Sequence, residues 1–455
     1  MEANLKGRLS SILTGRQFDR LTQERHRTRL LRATWIRWQQ RGLFVLGGIA
    51  VGATAVAFTM LADWAQGEFA GLLALGRYWP LLVTPLGFVL AALATTRFFN
   101  GSQGSGIPQV IAAHRIGATA IRQKLVSLRV AVGKILLTAF GLLCGASTGR
   151  EGPTVQVGAA LMFAVGRLSP RKQSGLIVAG AAAGIAAAFN TPIAGIIFGI
   201  EELTRTFERR TSGLILATVV AAGSVSLLLV GNYTYFGTSA GTLHGVALWV
   251  GIPLCGVSGG LLGGAFSRLV IGVSGANVLG LWARNRPLAL AGVCGLVVAL
   301  VGSAAGNSTY GTGYSQVKAA LDGTAPIGLL FMPLKFVATL TSSLSGIPGG
   351  IFSPSLAIGA GLGADVAQLF STVDIGAMML LGMVAYLSGV VQAPITAFVI
   401  VTELTNDRAM LMPLMLTALI AHGTARLVCP DGIYHALARR FLIADSGKNT
   451  SGDRR

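Results

Sequence analysis

The stretch Lys134–Pro153, KILLTAFGLLCGASTGREGP, is answered 201 residues later by Lys335–Pro354, KFVATLTSSLSGIPGGIFSP. At that constant offset Lys134/Lys335, Thr138/Thr339, Gly145/Gly346, Gly149/Gly350 and Pro153/Pro354 coincide, and Gly158-Ala159 continues as Gly359-Ala360. Further on, Thr191-Pro192-Ile193 is matched by Ala393-Pro394-Ile395, and Glu201 and Glu403 each stand nine residues after the proline. Gly-rich segments share two or three positions by chance, but not an ordered series. The chain therefore reads as two related halves, 43–230 and 245–440, flanked by a basic segment 1–42 and a tail 441–455.

Composition says what the halves are made of. Of 455 residues 52% are hydrophobic and 12% charged, about half the ~25% charge of soluble domains. The uncharged runs Leu43–Ala62, Ser174–Ile200, Thr211–Ser267, Pro287–Val317, Phe336–Ala364 and Ile375–Thr402 each reach the ~20 apolar residues that span a bilayer. The fold class is an all-α polytopic membrane protein, and a cytosolic enzyme is excluded.

About half of the net charge of +19 sits at the ends. Residues 1–42 hold ten Lys/Arg against three acids, and the chain from Arg426 onward holds six against three. Basic flanks beside apolar spans place both termini in the cytoplasm. The first 42 residues lack a signal peptide's apolar core and cleavage site, so they read as a retained segment on anionic lipid, in preference to a nucleic-acid arm. Cys144, Cys255, Cys294 and Cys429 are scattered through apolar sequence and imply neither a disulfide nor a metal site. With both termini on one side the number of crossings is even. Two equivalent halves of odd count then lie antiparallel, as an inverted repeat whose substrate site is near the midplane, where interrupted helices meet. Hydropathy alone does not fix that count.

Four Gly/Pro-interrupted segments mark the place to look: Gly101–Val110 (GSQGSGIPQV), Gly149–Ala159 (GREGPTVQVGA), Gly346–Ala360 (GIPGGIFSPSLAIGA) and Pro430–Ala438 (PDGIYHALA). In the first three, glycines precede a proline that opens an apolar run, and proline suits a first helical turn. Each is a helix N-terminus inside the membrane, with unpaired N–H groups and a positive dipole end. Such ends hold an anion without a full positive charge, weakly enough for it to leave again. Hydroxyls of Ser105 and Tyr434 complete the shell. Gly256–Gly264 (GVSGGLLGG) reads instead as a close-packing helix face.

Glu151 stands two residues before Pro153, where the second half has Phe352. The acid is thus not required by the architecture of the repeat. An ionised carboxylate is favoured at a helix N-terminus, whereas desolvation favours its protonated form. It can fill the site as a tethered substitute for the anion and vacate it when protonated. The plainer reading is a salt bridge to Arg150 or Lys134. Glu201 and Glu202 close an apolar run, and an intramembrane carboxylate is a functional candidate by default. One of the two hands protons toward Glu151, while an ordinary boundary role stays open for Glu201. Glu403 reads as capping or packing. Gly145–Gly149 (GASTG) fits the nucleophile-elbow pattern, but it lies in an apolar span and its repeat partner has a proline at the serine position. The five histidines show no grouping for metal or triad, and no cofactor is implied.

These residues resemble the CLC family of chloride channels and chloride/proton exchangers. GSGIP at Gly104–Pro108, GREGP at Gly149–Pro153 and GIFSP at Gly350–Pro354 look like its anion-binding signatures, Ile433-Tyr434 like its late tyrosine segment, and Gly180–Leu203 like the stretch ending in its internal proton glutamate. The likeness covers about residues 43–440. It implies an antiparallel two-half helical fold with re-entrant helices, a homodimer with a pathway in each subunit, and a bacterial inner-membrane location. It implies central anion coordination by Ser105, Gly106, Ile107, Tyr434 and the amides of Ile351 and Phe352. Gly149, Arg150, Gly152, Pro153 and Lys134 support that site. Glu151 is implied as external gate and proton acceptor and Glu202 as internal proton acceptor, which points to an exchanger, with a passive channel of the same fold as the alternative. Another inverted-repeat carrier is a remote one. Ser105 implies chloride over nitrate or fluoride. Gln109 replaces the glutamate of many relatives, with little expected effect, and the end at Arg455 leaves no room for paired cytoplasmic regulatory modules.

Overall fold

In the hydrocarbon of a bilayer no water serves the backbone, so apolar runs close their hydrogen bonds internally as helices. The computed structural model describes residues 15–76, 78–167, 173–205, 209–231, 234–237, 245–275, 278–370 and 373–452. Its first half carries α1 (Gly15–Leu75), α2 (Pro80–Arg97), α3 (Ile107–Arg115), α4 (Thr119–Leu125), α5 (Leu128–Leu143), α6 (Glu151–Gly166), α7 (Gln173–Phe189), α8 (Pro192–Phe198) with a π turn Gly199–Thr204, and α9 (Arg209–Val230). There follow α10 (Gly245–Val273), α11 (Val278–Asn285), α12 (Pro287–Ala304), α13 (Tyr314–Leu321), α14 (Phe331–Leu344), α15 (Phe352–Ala367), α16 (Ile375–Val391), α17 (Pro394–Thr405), α18 (Leu411–Val428) and α19 (Ile433–Gly452). Among the described residues, those up to Leu46 and those from Gly47 onward are separate compact units. The packing and the site described below lie in the second.

Seven helices among the described residues are long and apolar enough to cross a membrane: Gly42–Leu75, Pro80–Arg97, Thr119–Leu143, Gly213–Val230, Trp249–Val273, Pro287–Ala304 and Leu411–Val428. Several of the uncharged runs are not the single spans their length suggests. Ser174–Ile200 breaks at Asn190 and Ile375–Thr402 at Gln392, both left-handed (φ 57° and 59°) and each two residues before a proline that starts the next helix. Phe336–Ala364 breaks between α14 and α15, where Gly346 takes φ 80°. Thr211–Ser267 likewise divides between α9 and α10. Hydropathy sums side chains and does not register a backbone turn, so broken helices read as continuous.

The halves meet through reciprocal contacts. Gly149 N–H donates to Gly350 O (2.8 Å), and Gly350 N–H donates back to Gly149 O (2.7 Å). The Glu201 carboxylate accepts from the amides of Ile395 and Thr396 (3.1 and 2.6 Å), and Glu403 accepts from those of Ile193 and Ala194 (3.2 and 2.6 Å). A pattern in which each half does to the other what is done to it marks a two-fold relation, not a translation. Buried Lys134 Nζ donates to Ser102 O and Gly104 O (2.5 and 2.7 Å), just as buried Lys335 Nζ donates to Thr309 O and Gly311 O (2.9 and 2.8 Å). Left-handed positions recur in pairs as well: Gly104/Gly311, Gly106/Gly313, Gly145/Gly346, Asn190/Gln392 and Arg205/Asn406. The fold is an inverted repeat in which the ends of broken helices converge.

Small residues let the central helices approach closely, the usual way to gain packing where lipid is as apolar as leucine. A Cβ on Gly158 of α6 would run into the Gly180 carbonyl of α7, and one on Gly359 of α15 into the Gly382 carbonyl of α16. Gly256, Gly259, Gly260, Gly263 and Gly264 of α10 pack in the same way on α16 and α18. Gly158→Val is accordingly expected to destabilise the protein by about 1–3 kcal/mol, the usual cost of overpacking. A lower unfolding temperature of the detergent-solubilised variant is the check.

Candidate functional site

Three helix N-termini build the centre. The loop into α3 must turn through left-handed Gly104 and Gly106 (φ 63° and 94°). A Cβ at Gly106 would lie 2.7 Å from Gln156 Oε1 and 3.2 Å from Lys134 Cε, so only glycine fits. Lys134 holds this loop by its carbonyls, and Gly104 pairs with the other half through Ile347 O (3.1 Å) and Gly349 N (3.0 Å). Gln109 Nε2 donates to Gln103 O at 2.7 Å, a bond that an ionised glutamate, which only accepts, would not make.

The reciprocal Gly149–Gly350 pair then brings the first turns of α6 and α15 together. Gly152 lies against Ser105, whose Oγ would be 2.6 Å from a Cβ there. Pro153 and Pro354 occupy the third positions of their helices. Ile107, Ile351 and Phe352 sit at helix starts, where amides lack intrahelical acceptors. The Phe352 ring stacks on Tyr434 (centroids 6.0 Å apart, planes 11°) and meets Phe198 edge-on at 5.9 Å. The hydroxyls of Ser105 and Tyr434 lie close to each other. Both are buried, and neither makes a hydrogen bond of ordinary geometry among the described residues.

Glu151, the first residue of α6, is fully buried. Its carboxylate folds back over Gly149, where a Cβ would strike Oε2. Oε1 accepts from Ser353 Oγ at 2.6 Å, and Oε2 has no hydrogen-bond partner among the described residues. The plainer salt-bridge reading is not what the structure shows. Arg150 pairs with Asp63 and donates to Thr59 O (3.0 Å), and Lys134 is engaged with carbonyls. What remains at the centre is a carboxylate, two hydroxyls and helix ends, a set suited to an anion held by dipoles.

Glu201 and Glu202 part company. Glu201 caps α17 through the Ile395 and Thr396 amides and also accepts from Thr396 Oγ1 at 2.7 Å. Glu202 is buried, and its Oε1 makes no hydrogen bond. His435 Nε2 lies 2.8 Å from the Glu202 carbonyl and 3.5 Å from Oε1. Arg115 Nη2 lies 3.3 Å from His435 Nδ1. A guanidinium only donates, so Nδ1 accepts and Nε2 carries the proton. Beside them opens a cavity of about 530 Å³ whose lining includes Glu201, Glu202, Arg205, His422 and Arg426. His435 was not distinguished in the sequence from the other four histidines. Its one signal was adjacency to Tyr434, which puts Glu202 within a residue of the central hydroxyl.

The family profile described as "Voltage gated chloride channel" matches residues 86–426, three-quarters of the chain. The chain belongs to the voltage gated chloride channel, or CLC, family. It is 32% identical over 427 residues to the H(+)/Cl(-) exchange transporter ClcA of Yersinia pestis bv. Antiqua (strain Angola), covering 87% of this chain and 86% of that one. It is 31% identical over 441 residues to the ClcA of Klebsiella pneumoniae (strain 342), with 89% of each covered. Among solved structures it resembles a slow cyanobacterial Cl-/H+ antiporter, with TM-score 0.74 and 26% identity over 89% of this chain and 98% of that one. A CLC-type fluoride/proton antiporter, at 22% identity and TM-score 0.75 over 88% and 97%, shares the fold. The chain is an integral membrane protein of this CLC fold.

Proposed function

We propose that the protein exchanges chloride for protons across the bacterial inner membrane, as a homodimer with a complete pathway in each subunit and both termini in the cytoplasm. Residues 43–230 and 245–440 form its two halves. The observation that carries this reading is the Glu151 carboxylate, buried across converging helix ends with one oxygen unpartnered. It stands in for the anion. The ClcA relatives, by name H(+)/Cl(-) exchangers, support it. Chloride binds to the Ser105 and Tyr434 hydroxyls and to the helix ends at Gly106-Ile107 and Ile351-Phe352. Glu151 competes for that place when ionised and leaves it when protonated, which links proton uptake to anion entry. Glu202, reached from the cavity at its side, supplies or removes the proton from within. Lys134 and Arg150 are committed to carbonyls and to Asp63, so dipoles and hydroxyls hold the anion, weakly enough for release.

Liposomes containing the purified protein and given a chloride gradient provide the test. Exchange moves protons uphill, and a passive channel moves none. Because about 2.3 kcal/mol is available per charge per 100 mV, the reversal potential under opposed chloride and pH gradients reads the coupling directly. A reversal potential that ignores the pH gradient would overturn exchange in favour of the channel.

A further inference from the structure

Ser353 breaks the repeat: its counterpart in the first half is Gly152. Its hydroxyl, 2.6 Å from Glu151 Oε1, makes the one hydrogen bond that carboxylate has among the described residues, and both side chains are buried. Behind it stands Tyr235, also buried, its hydroxyl approaching the Ser353 side chain and lying near Glu151 and Arg150. The Tyr235 ring is held by Phe189, Phe236 and Tyr314, with centroids at 5.5, 4.9 and 4.5 Å. The Phe236 amide, donating to Leu404 O at 3.0 Å, fixes the segment.

The pseudo-two-fold gives this pair a meaning. Tyr235 follows α9, which ends at Val230, as Tyr434 follows α18, which ends at Val428. Tyr434 stacks on Phe352 and lies beside a serine hydroxyl, that of Ser105. Tyr235 lies beside the hydroxyl of Ser353 and near Glu151, the repeat counterpart of Phe352. Two tyrosine–serine pairs, Tyr434 with Ser105 and Tyr235 with Ser353, thus meet at the same junction, although Ser353 is not the repeat counterpart of Ser105.

We propose that Ser353, backed by Tyr235, is a latch that positions the ionised Glu151 carboxylate over the helix ends. The inference rests on the reading of Glu151 as the gate. An ionised carboxylate can only accept, so Ser353 donates its single proton to Oε1, and its lone pairs are left to accept from Tyr235. The O–H groups then point one way, from tyrosine to serine to carboxylate, and polarise one another. A hydrogen bond to a charged acceptor is roughly twice as strong as a neutral one. The latch is therefore strong while Glu151 is charged and blocking, and weak once it is protonated and ready to leave. Protonation both discharges the gate and loosens its holder.

The test uses the full chain in liposomes, with turnover measured against proton and chloride concentration. In Ser353→Ala, protonation of Glu151 no longer breaks a charge-assisted bond. The proton concentration for half-maximal turnover should fall about tenfold, the equivalent of one pKa unit. Half-saturation by chloride should fall with it, because the competing carboxylate is held less firmly. Ser353→Thr keeps the hydroxyl and should restore both values, and Tyr235→Phe should move them in the same direction by a smaller factor. In a Glu151→Gln background, where turnover no longer responds to protons, Ser353→Ala should leave half-saturation by chloride unchanged, which a merely structural serine would not obey. An unchanged proton midpoint in Ser353→Ala, or an equal change in chloride half-saturation in the Glu151→Gln background, overturns the latch. Loss of coupling in Glu151→Gln with a silent Ser353→Ala defeats the latch alone. Coupling that survives Glu151→Gln defeats the gate reading itself.

Discussion

Glu151→Gln is expected to stop proton movement while chloride flux continues. Glutamine matches the shape of the carboxylate and can still accept from Ser353 Oγ, the one hydrogen bond Glu151 makes among the described residues. Folding should therefore survive. What is lost is the ability to carry and release a proton, and with it the negative charge that competes at the helix ends. A positioned proton-transfer group is worth about 10²–10⁴-fold, so proton pumping driven by a chloride gradient should drop by at least ~10²-fold in liposomes. Chloride efflux under a voltage should persist and lose its dependence on pH. Retained coupling would show that the buried carboxylate, although seated across the site, is not its gate. Glu151 makes no ion pair among the described residues. Had Glu151 been bound to Arg150, the same substitution would have broken a buried pair and cost stability first. Arg150 is instead committed to Asp63 and Thr59 O.

The parts of this molecule that could be read from sequence are those written locally. The ordered offset of 201 residues exposed the repeat, and Gly-Pro starts exposed the helix ends at Pro108, Pro153 and Pro354. Glu151 stood out because its repeat counterpart is a phenylalanine. Four features were not legible. Asn190 and Gln392 adopt left-handed conformations in the middle of apolar runs, where composition gives no warning. Ser353 lies 202 residues from the carboxylate it touches, inside a motif whose serine looked like any other. Tyr235 gains its place only through the pseudo-two-fold, and His435 gains its through a carbonyl 233 residues away. Contacts that join the two halves leave no periodicity in either one.

Glu202→Gln should cut proton transport selectively, and Glu201→Gln should not. The two residues differ by one position, and a one-residue insertion separates their fates. From Pro192 to left-handed Arg205 there is one residue more than from Pro394 to left-handed Asn406, and the surplus is absorbed as the π turn Gly199–Thr204. Such turns recur at functional sites because they re-aim one side chain without breaking the helix. Glu201 keeps the place of Glu403 and caps the opposite half, accepting three hydrogen bonds at 2.6–3.1 Å. Hydrogen bonds to a charged group contribute roughly 1.5–3 kcal/mol each, so Glu201→Gln should lower the unfolding temperature and reduce both fluxes in step. Glu202 is left buried with Oε1 unbonded and His435 beside it, a state with little to lose structurally. Glu202→Gln should therefore leave stability and chloride flux within about twofold while proton transport falls by ~10²-fold or more, the lower end of general acid–base contributions. Measured together, a thermal melt and a paired proton/chloride flux assay distinguish the two variants. Selective loss of proton transport in Glu201→Gln would mean that the capping carboxylate carries the proton, and that the π turn points the wrong residue out of the path.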